Sequence, residues 1–118
     1  MIQLSGIVGG KTPVKVGPRK TLLLQQIVIR VKKGRKLVLN NLNFLFNNEA
    51  FAIKIEAQPS PGKFVARGGA GDLTPNKVLF NNNTGEDQTI FLLVSAVNTS
   101  RTSTELSRSD SWRMSLKR

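Results

Sequence analysis

The sequence predicts an all-β protein, an antiparallel β-sandwich of about seven or eight strands with Ig-like or jelly-roll connections. Short runs of alternating apolar and polar residues recur along the chain, and the turn-forming residues Gly, Pro, Asn and Ser divide them. The spacing of an amphipathic helix, with apolar residues at i, i+3, i+4 and i+7, fits almost nowhere. Because 118 residues suit one hydrophobic core, we expect a single domain over residues 1–118.

Eight segments have the alternation of a half-buried strand. It is clearest at residues 50–57, where Ala52, Lys54 and Glu56 share one face, expected to be exposed, and the other face is apolar, with Phe51, Ile53, Ile55 and Ala57. In chain order, the predicted strands are 2–8, 21–32, 36–46, 50–57, 63–67, 77–80, 88–97 and 110–116. Many short strands divided by turns are typical of a sandwich or a barrel.

Two segments interrupt this pattern. Residues 9–20 are rich in Gly, Pro and Lys, which predicts an extended arm or a long loop because Pro and Gly disfavour both helix and strand. Residues 98–111 are rich in Ser, Thr and Asn, which predicts a long loop or a tether that carries the last strand away from its own domain. In that strand Trp112, Met114 and Leu116 share one face, so we expect them to anchor it to a core or to a partner chain.

Positive charge is concentrated in the first part of the chain. The sequence has 18 Lys and Arg against 7 Asp and Glu, and residues 1–48 contain nine of the basic residues and no acid. The densest cluster surrounds Gly34 and consists of Arg30, Lys32, Lys33, Arg35 and Lys36. The alternation predicts a β-hairpin here, with residues 33–35 at its tip and Val31 opposite Leu37. This tip either is merely solvated and guards a strand against aggregation, or docks on an acidic protein surface or a polyanion.

Three of the predicted strands carry large apolar residues at consecutive positions: strand 21–32 at 22–24 and 27–29, strand 36–46 at 44–46, and strand 88–97 at 91–94. Each of them therefore has apolar side chains on both faces, whereas an antiparallel sheet in a sandwich needs them on only one. Exposure of the second face would favour aggregation. We expect that face to be covered, either by residues 9–20 or 98–111 of the same chain or by another chain.

The composition excludes many kinds of active site, because the chain contains no His, no Cys and no Tyr. Ser-His-Asp and Cys-His catalysis, disulfides, and the common zinc, haem and iron–sulfur sites need imidazole or thiol groups. The seven acidic residues are scattered, and the adjacent Glu86 and Asp87 are expected in an ordinary turn rather than in a calcium site. We predict no catalytic residue, no metal site, no cofactor and no enzymatic activity.

The sequence has no clear targeting signal. Its first residues lack the basic and apolar regions of a signal peptide, and no run approaches the ~20 apolar residues of a membrane helix. We therefore expect a cytoplasmic or virion location and no membrane span. Asn82-Asn83-Thr84 and Asn98-Thr99-Ser100 match the pattern for N-glycosylation, which means little without a secretion signal.

Together these features favour a non-enzymatic structural subunit that works by contact in a multi-chain assembly. A homo-oligomer or a larger body such as a virion or phage tail fits this profile by analogy. The first alternative is a monomeric module for nucleic acid or another polyanion, which would add to the basic cluster Lys11, Lys15, Arg19 and Lys20. The second alternative is a carbohydrate-binding module, for which Trp112 is the only candidate aromatic platform.

Overall fold

The computed structural model describes residues 2–7, 14–46, 50–58, 62–67, 70–71, 76–106 and 110–118. Within these ranges the chain forms eleven β-strands and no helix, which confirms the all-β prediction. The strands are β1 (Ile2–Ile7), β2 (Val14–Val16), β3 (Thr21–Val31), β4 (Lys36–Leu45), β5 (Phe51–Gln58), β6 (Gly62–Arg67), β7 (Ala70–Gly71), β8 (Val78–Asn81), β9 (Gln88–Asn98), β10 (Thr104–Leu106) and β11 (Ser111–Lys117).

All eight predicted strands are present, with each end within about a residue of its expected position. The alternation predicts them well because most of the strands with described side chains, such as β5, β9 and β11, have one face against a hydrophobic core. The sequence does not predict β2, β7 or β10, which contain only two or three residues and are too short to show a period.

The strands form three antiparallel sheets. One has the order β1-β11-β4-β8, the second β3-β9-β5-β6-β7, and the third pairs β10 with β2. A single core contains buried side chains from all three sheets, which makes the fold a sandwich. Its fully buried large side chains are Phe51, Leu37, Leu39, Ile53, Ile55, Ile90, Leu92, Leu106, Met114, Leu116, Val31 and Val94. Burial of each stabilises the fold by about 1.5–3 kcal/mol relative to exposure.

Much of the sandwich is a two-stranded ribbon folded twice. One segment of the chain forms β2, β3 and β4, and a later segment runs antiparallel to it as β8, β9 and β10. Their strands pair as β2 with β10, β3 with β9, and β4 with β8. Between consecutive pairs the ribbon changes sheet, so the chain has two corners, one at residues 17–20 and one at residues 32–35.

The predicted hairpin over residues 27–39 is therefore wrong. β3 pairs with β9 in the five-stranded sheet, whereas β4 pairs with β11 and β8 in the four-stranded sheet. Val31 and Leu37 are both buried in the core, as predicted, but they enter it from opposite sheets. Alternation indicates which side chains face the core. The same pattern arises whether two consecutive strands pair within one sheet or lie in opposite sheets of the sandwich.

The C-terminal run and parts of the two irregular segments lie within the domain. β11 lies between β1 and β4, and its residues Trp112, Met114 and Leu116 are buried in the core of their own chain. β2 and β10 bring Val16 and Leu106 into that core from the segments predicted as an arm and a tether. Residues 9–13 and 107–109 of those segments lie outside the described ranges.

Candidate functional site

The corner between β3 and β4 is a tight turn fastened to the segment that follows β8. The backbone N–H of Arg35 donates to the carbonyl of Lys32 at 3.0 Å, and Gly34 has a φ of 74°. The N–H of Gly34 donates to the carbonyl of Asn82, and the N–H of Asn82 donates to that of Arg35, both at 2.9 Å. A glycine suits this turn because a positive φ is costly for residues with a Cβ atom.

The side chain of Asn82 lies inside this corner and has no exposed surface. Its Nδ2 donates to the carbonyls of Val31 at 2.8 Å and Glu86 at 2.7 Å. Its Oδ1 accepts from the N–H of Thr84 at 3.2 Å and from the Thr84 hydroxyl at 2.7 Å. One amide thus joins the end of β3 to the 82–86 loop, and its own buried donor and acceptor atoms both have partners.

The corner between β2 and β3 repeats this arrangement. The N–H of Lys20 donates to the carbonyl of Gly17 at 3.1 Å, the N–H of Asn98 donates to that of Lys20 at 3.0 Å, and Arg19 has a φ of 61°. Asn98 is fully buried, and its Nδ2 donates to the carbonyls of Val16, Gly17 and Thr102. Its Oδ1 accepts from the N–H and hydroxyl of Ser100.

The two matches to the glycosylation pattern therefore have a structural explanation. The asparagine fastens a corner, and the Thr or Ser two residues later bonds to its Oδ1. Because Asn82 and Asn98 are fully buried with both amide atoms bonded, neither accepts a glycan in the folded chain.

Asp87 holds the outer side of the β3–β4 corner. Its Oδ1 accepts from the N–H of Lys33 at 3.0 Å, and its Oδ2 forms an ion pair with Arg30 at 3.3 Å. The Lys33 backbone hydrogen bond, aided by Arg30 and Lys32, holds the pKa of Asp87 below its ordinary value, although desolvation opposes the shift. Both oxygens already have protein donors, which fits the expected structural turn.

A depression of about 420 Å³ opens beside this corner and is lined by four cationic side chains, Arg30, Lys32, Arg35 and Arg118. We call it the basic pocket. The guanidinium of Arg118 donates to the carbonyl of Arg30 at 3.2 Å, which brings the end of β11 to the end of β3. A volume of this size lies within the ~300–1,000 Å³ range of small-ligand sites.

The structure brings together only part of the predicted basic cluster. Arg30, Lys32 and Arg35 line the basic pocket, whereas Lys33 and Lys36 are exposed outside its lining. Lys36 lies in β4 opposite Asn81, in the other sheet from Arg30. Arg118 cannot be recognised as part of this cluster from the sequence, because only the pairing of β11 with β4 brings it to this end of the sandwich.

The other predicted binding residues lie elsewhere. Lys15, Arg19 and Lys20 are exposed at the β2–β3 corner, at the far end of β3, about 30 Å away. Lys11 lies outside the described residues. Trp112, the candidate sugar platform, is only 4% exposed and does not present a ring to solvent.

An apolar surface remains on the outer face of the five-stranded sheet. Leu23 and Val28 in β3 are 52% and 61% exposed, and Phe91, which pairs with Val28 across the ladder, is 40% exposed. β3 is also an edge strand of its sheet. The predicted second apolar face is thus present on β3 and β9, and it is not covered there by the described residues; the side chains of Phe44 and Leu45 lie outside them.

Comparison with protein-family models, with curated proteins and with solved structures found no match. In the part of the chain that the structure describes, no three His, Cys, Asp or Glu residues lie close enough to hold a metal ion. The same part contains no helix of the length and hydropathy needed to cross a membrane. The geometry of the β3 edge and the basic pocket therefore carries the functional argument.

Proposed function

We propose that the chain is a non-enzymatic interaction subunit that pairs with a second copy of itself along the edge of β3. The observation that carries this proposal is an eleven-residue edge strand whose outer face exposes Leu23 and Val28. Long, apolar edge strands are normally covered or protected by charge, because their free backbone groups pair readily with another strand. The only charged residue in β3 is Arg30, near its end.

The side chains of β3 are arranged so that two copies of this strand can pair antiparallel with apolar residues opposite each other. A bulge places Leu24 and Gln25 together opposite Val94 of β9. Two β3 strands in antiparallel register about Gln26 would each set this bulge opposite the partner's Ile27. Leu23 would then lie opposite the partner's Val28 on the outer face, twice in one symmetric interface. Cross-strand apolar pairs of this kind contribute about 0.2–1 kcal/mol each, in addition to on the order of ten main-chain hydrogen bonds.

Charge placement permits a second copy in this register, despite the formal net charge of +11. Each Arg30 would lie opposite the partner's Thr21, about eight residue steps, or about 27 Å, from the other Arg30. This separation is about three Debye lengths at physiological ionic strength, so repulsion between the two basic corners is largely screened. Because Arg118 already donates to the Arg30 carbonyl, the residues around Gln26, in the middle of β3, would carry most of the pairing.

The test is the mass of the protein in solution as a function of concentration. We expect a dimer of twice the 13.0 kDa chain mass by sedimentation or light scattering at about 100 µM. The double substitution Leu23→Lys with Val28→Lys removes both outer apolar pairs and brings like charges together, so we expect the dissociation constant to rise at least about tenfold. Both positions are more than half exposed, and circular dichroism checks that the monomer stays folded.

The matched control is Gln58→Lys, which adds a charge to an exposed position of β5, away from the β3 edge. We expect this variant to dimerise like the native chain. A native chain that has the 13.0 kDa mass of a monomer at every concentration overturns the proposal. Equal weakening by the control also overturns it, because the contact would then use the face of the sheet rather than its edge.

The kind of assembly stays a prediction from composition. Edge pairing joins two copies and leaves the outer face around Phe91 open to further contacts. A virion or phage-tail component, which builds a larger body from such contacts, fits the proposal by analogy only.

A further inference from the structure

We infer that the basic pocket binds phosphate groups, a property independent of self-association through β3. Four cations from three parts of the chain converge on one depression: Arg30 at the end of β3, Lys32 and Arg35 in the corner, and Arg118 after β11. Guanidinium groups present paired N–H donors that match the oxygens of phosphate, and an ammonium adds a point charge. The site is thus suited to an anion with more than one phosphate.

The cations of the pocket retain donors for a ligand. Among the described residues, the side chains of Lys32 and Arg35 have no hydrogen-bond or ion-pair partner. Arg118 uses one bond, to the Arg30 carbonyl, of the five that its N–H groups offer. The described acid beside the pocket is Asp87, which forms an ion pair with Arg30 and also attracts Lys32 electrostatically.

The corner also holds these residues in place before any ligand binds. The turn bond from Arg35 to Lys32, the two backbone bonds between the turn and Asn82, and the Asp87 bond to Lys33 fix the backbone of residues 32–35. A preformed backbone lowers the ordering cost of binding. Only the side-chain ends of Lys32 and Arg35 remain to be ordered.

Two sources could supply such phosphates, a free polyphosphate anion or the backbone of a nucleic acid. The probes are sodium tripolyphosphate and a twelve-nucleotide single-stranded oligothymidylate, titrated by calorimetry at about 50 mM salt, where phosphate contacts are least screened. Tighter binding of the oligonucleotide assigns the site to nucleic acid, and tighter binding of tripolyphosphate assigns it to a free anion. Both results support the inference, provided that substitutions in the basic pocket weaken the binding.

The site variant is Arg35→Ser with Arg118→Ser, and we expect it to weaken binding of the tighter probe at least about tenfold. The matched control is Arg101→Ser with Arg113→Ser, which removes the same net charge from exposed positions outside the pocket lining. We expect the control to weaken binding less than about threefold, because exposed, distant charges act only through a screened field. Equal weakening by both variants overturns the inference.

A gain of binding provides a test that misfolding cannot imitate. Asp87→Asn removes the negative charge beside Arg30, while the amide oxygen still accepts from the Lys33 N–H. We expect this variant to bind the tighter probe about two- to tenfold more strongly than the native chain does. Unchanged or weaker binding overturns the inference, as does the absence of binding of both probes to the native chain at about 1 mM.

Discussion

Replacing one buried amide should show how strongly the corners hold the fold together. In Asn82→Asp the side chain keeps its shape, but the Nδ2 donor becomes a carboxylate oxygen. That oxygen would face the carbonyls of Val31 and Glu86, which now accept from Nδ2 at 2.8 and 2.7 Å. The acceptor atom Oδ1 and its bonds from Thr84 are unchanged by the substitution. The perturbation therefore exchanges two attractive contacts for two repulsive ones at a site without exposed surface.

The expected cost follows from these contacts. Two lost hydrogen bonds contribute about 1 kcal/mol each, and oxygens that face each other without a donor add about 1–3 kcal/mol. The free energy of unfolding should thus fall by roughly 3–5 kcal/mol at neutral pH, out of about 5–15 kcal/mol for a typical domain. With a urea m-value of about 2 kcal/mol/M, the unfolding midpoint should fall by about 2 M.

Urea unfolding followed by Trp112 fluorescence measures this change, because Trp112 is buried in the folded chain. The control is Asn83→Asp, the same exchange one residue later at an exposed position, which should change stability by less than about 0.5 kcal/mol. Asn98→Asp should behave like Asn82→Asp, since the second corner has equivalent bonds. If Asn82→Asp costs no more than Asn83→Asp, the assigned role of the buried amides is refuted.

Two other predictions concern the same corners. Because the pKa of Asp87 is lowered in the folded chain, its contribution to stability should be present above the ordinary aspartate pKa and be lost as pH falls below it. The unfolding free energies of the native chain and Asp87→Asn should therefore differ at pH 7 and converge in acid. Gly34 and Arg19 both have a positive φ, which glycine adopts more easily than residues with a Cβ atom. Gly34→Ala should therefore lower stability by about 1–2 kcal/mol, whereas Arg19→Gly should not lower it. Thermal unfolding of these two variants measures the changes in stability, and equal destabilisation by the two would contradict the explanation from φ.

Much of the strand pattern is predictable from local sequence. In β5, for example, the residues on the predicted core face are buried, although Ala52 on the opposite face is buried as well. The pairing of strands is not predictable in this way. Residues 27–39 have the pattern of a hairpin, yet the turn at residues 32–35 joins two different sheets. The preference for one arrangement depends on β9 and β8, which lie far along the chain.

The candidate sites show the same division. The sequence reveals the basic cluster around Gly34 because its members are adjacent, but it does not separate Arg35, which lines the pocket, from Lys36, which faces away. Arg118 joins the pocket only through the pairing of β11. The roles of Asn82 and Asn98 were equally hidden, because a short Asn-x-Thr or Asn-x-Ser segment does not show which distant carbonyls its amide will meet.

Three properties of this chain can be read from short stretches of its sequence: that it forms strands, which of their side chains face a core, and that positive charge accumulates near Gly34. These properties depend on neighbours one or two residues apart, and alternation and composition record them directly. Three other properties are visible only in the folded chain: the ribbon turns two corners, β3 lies at an edge, and Arg118 contacts Arg30. These contacts join residues far apart in the chain, and they are selected by the packing of the whole core rather than by any local pattern.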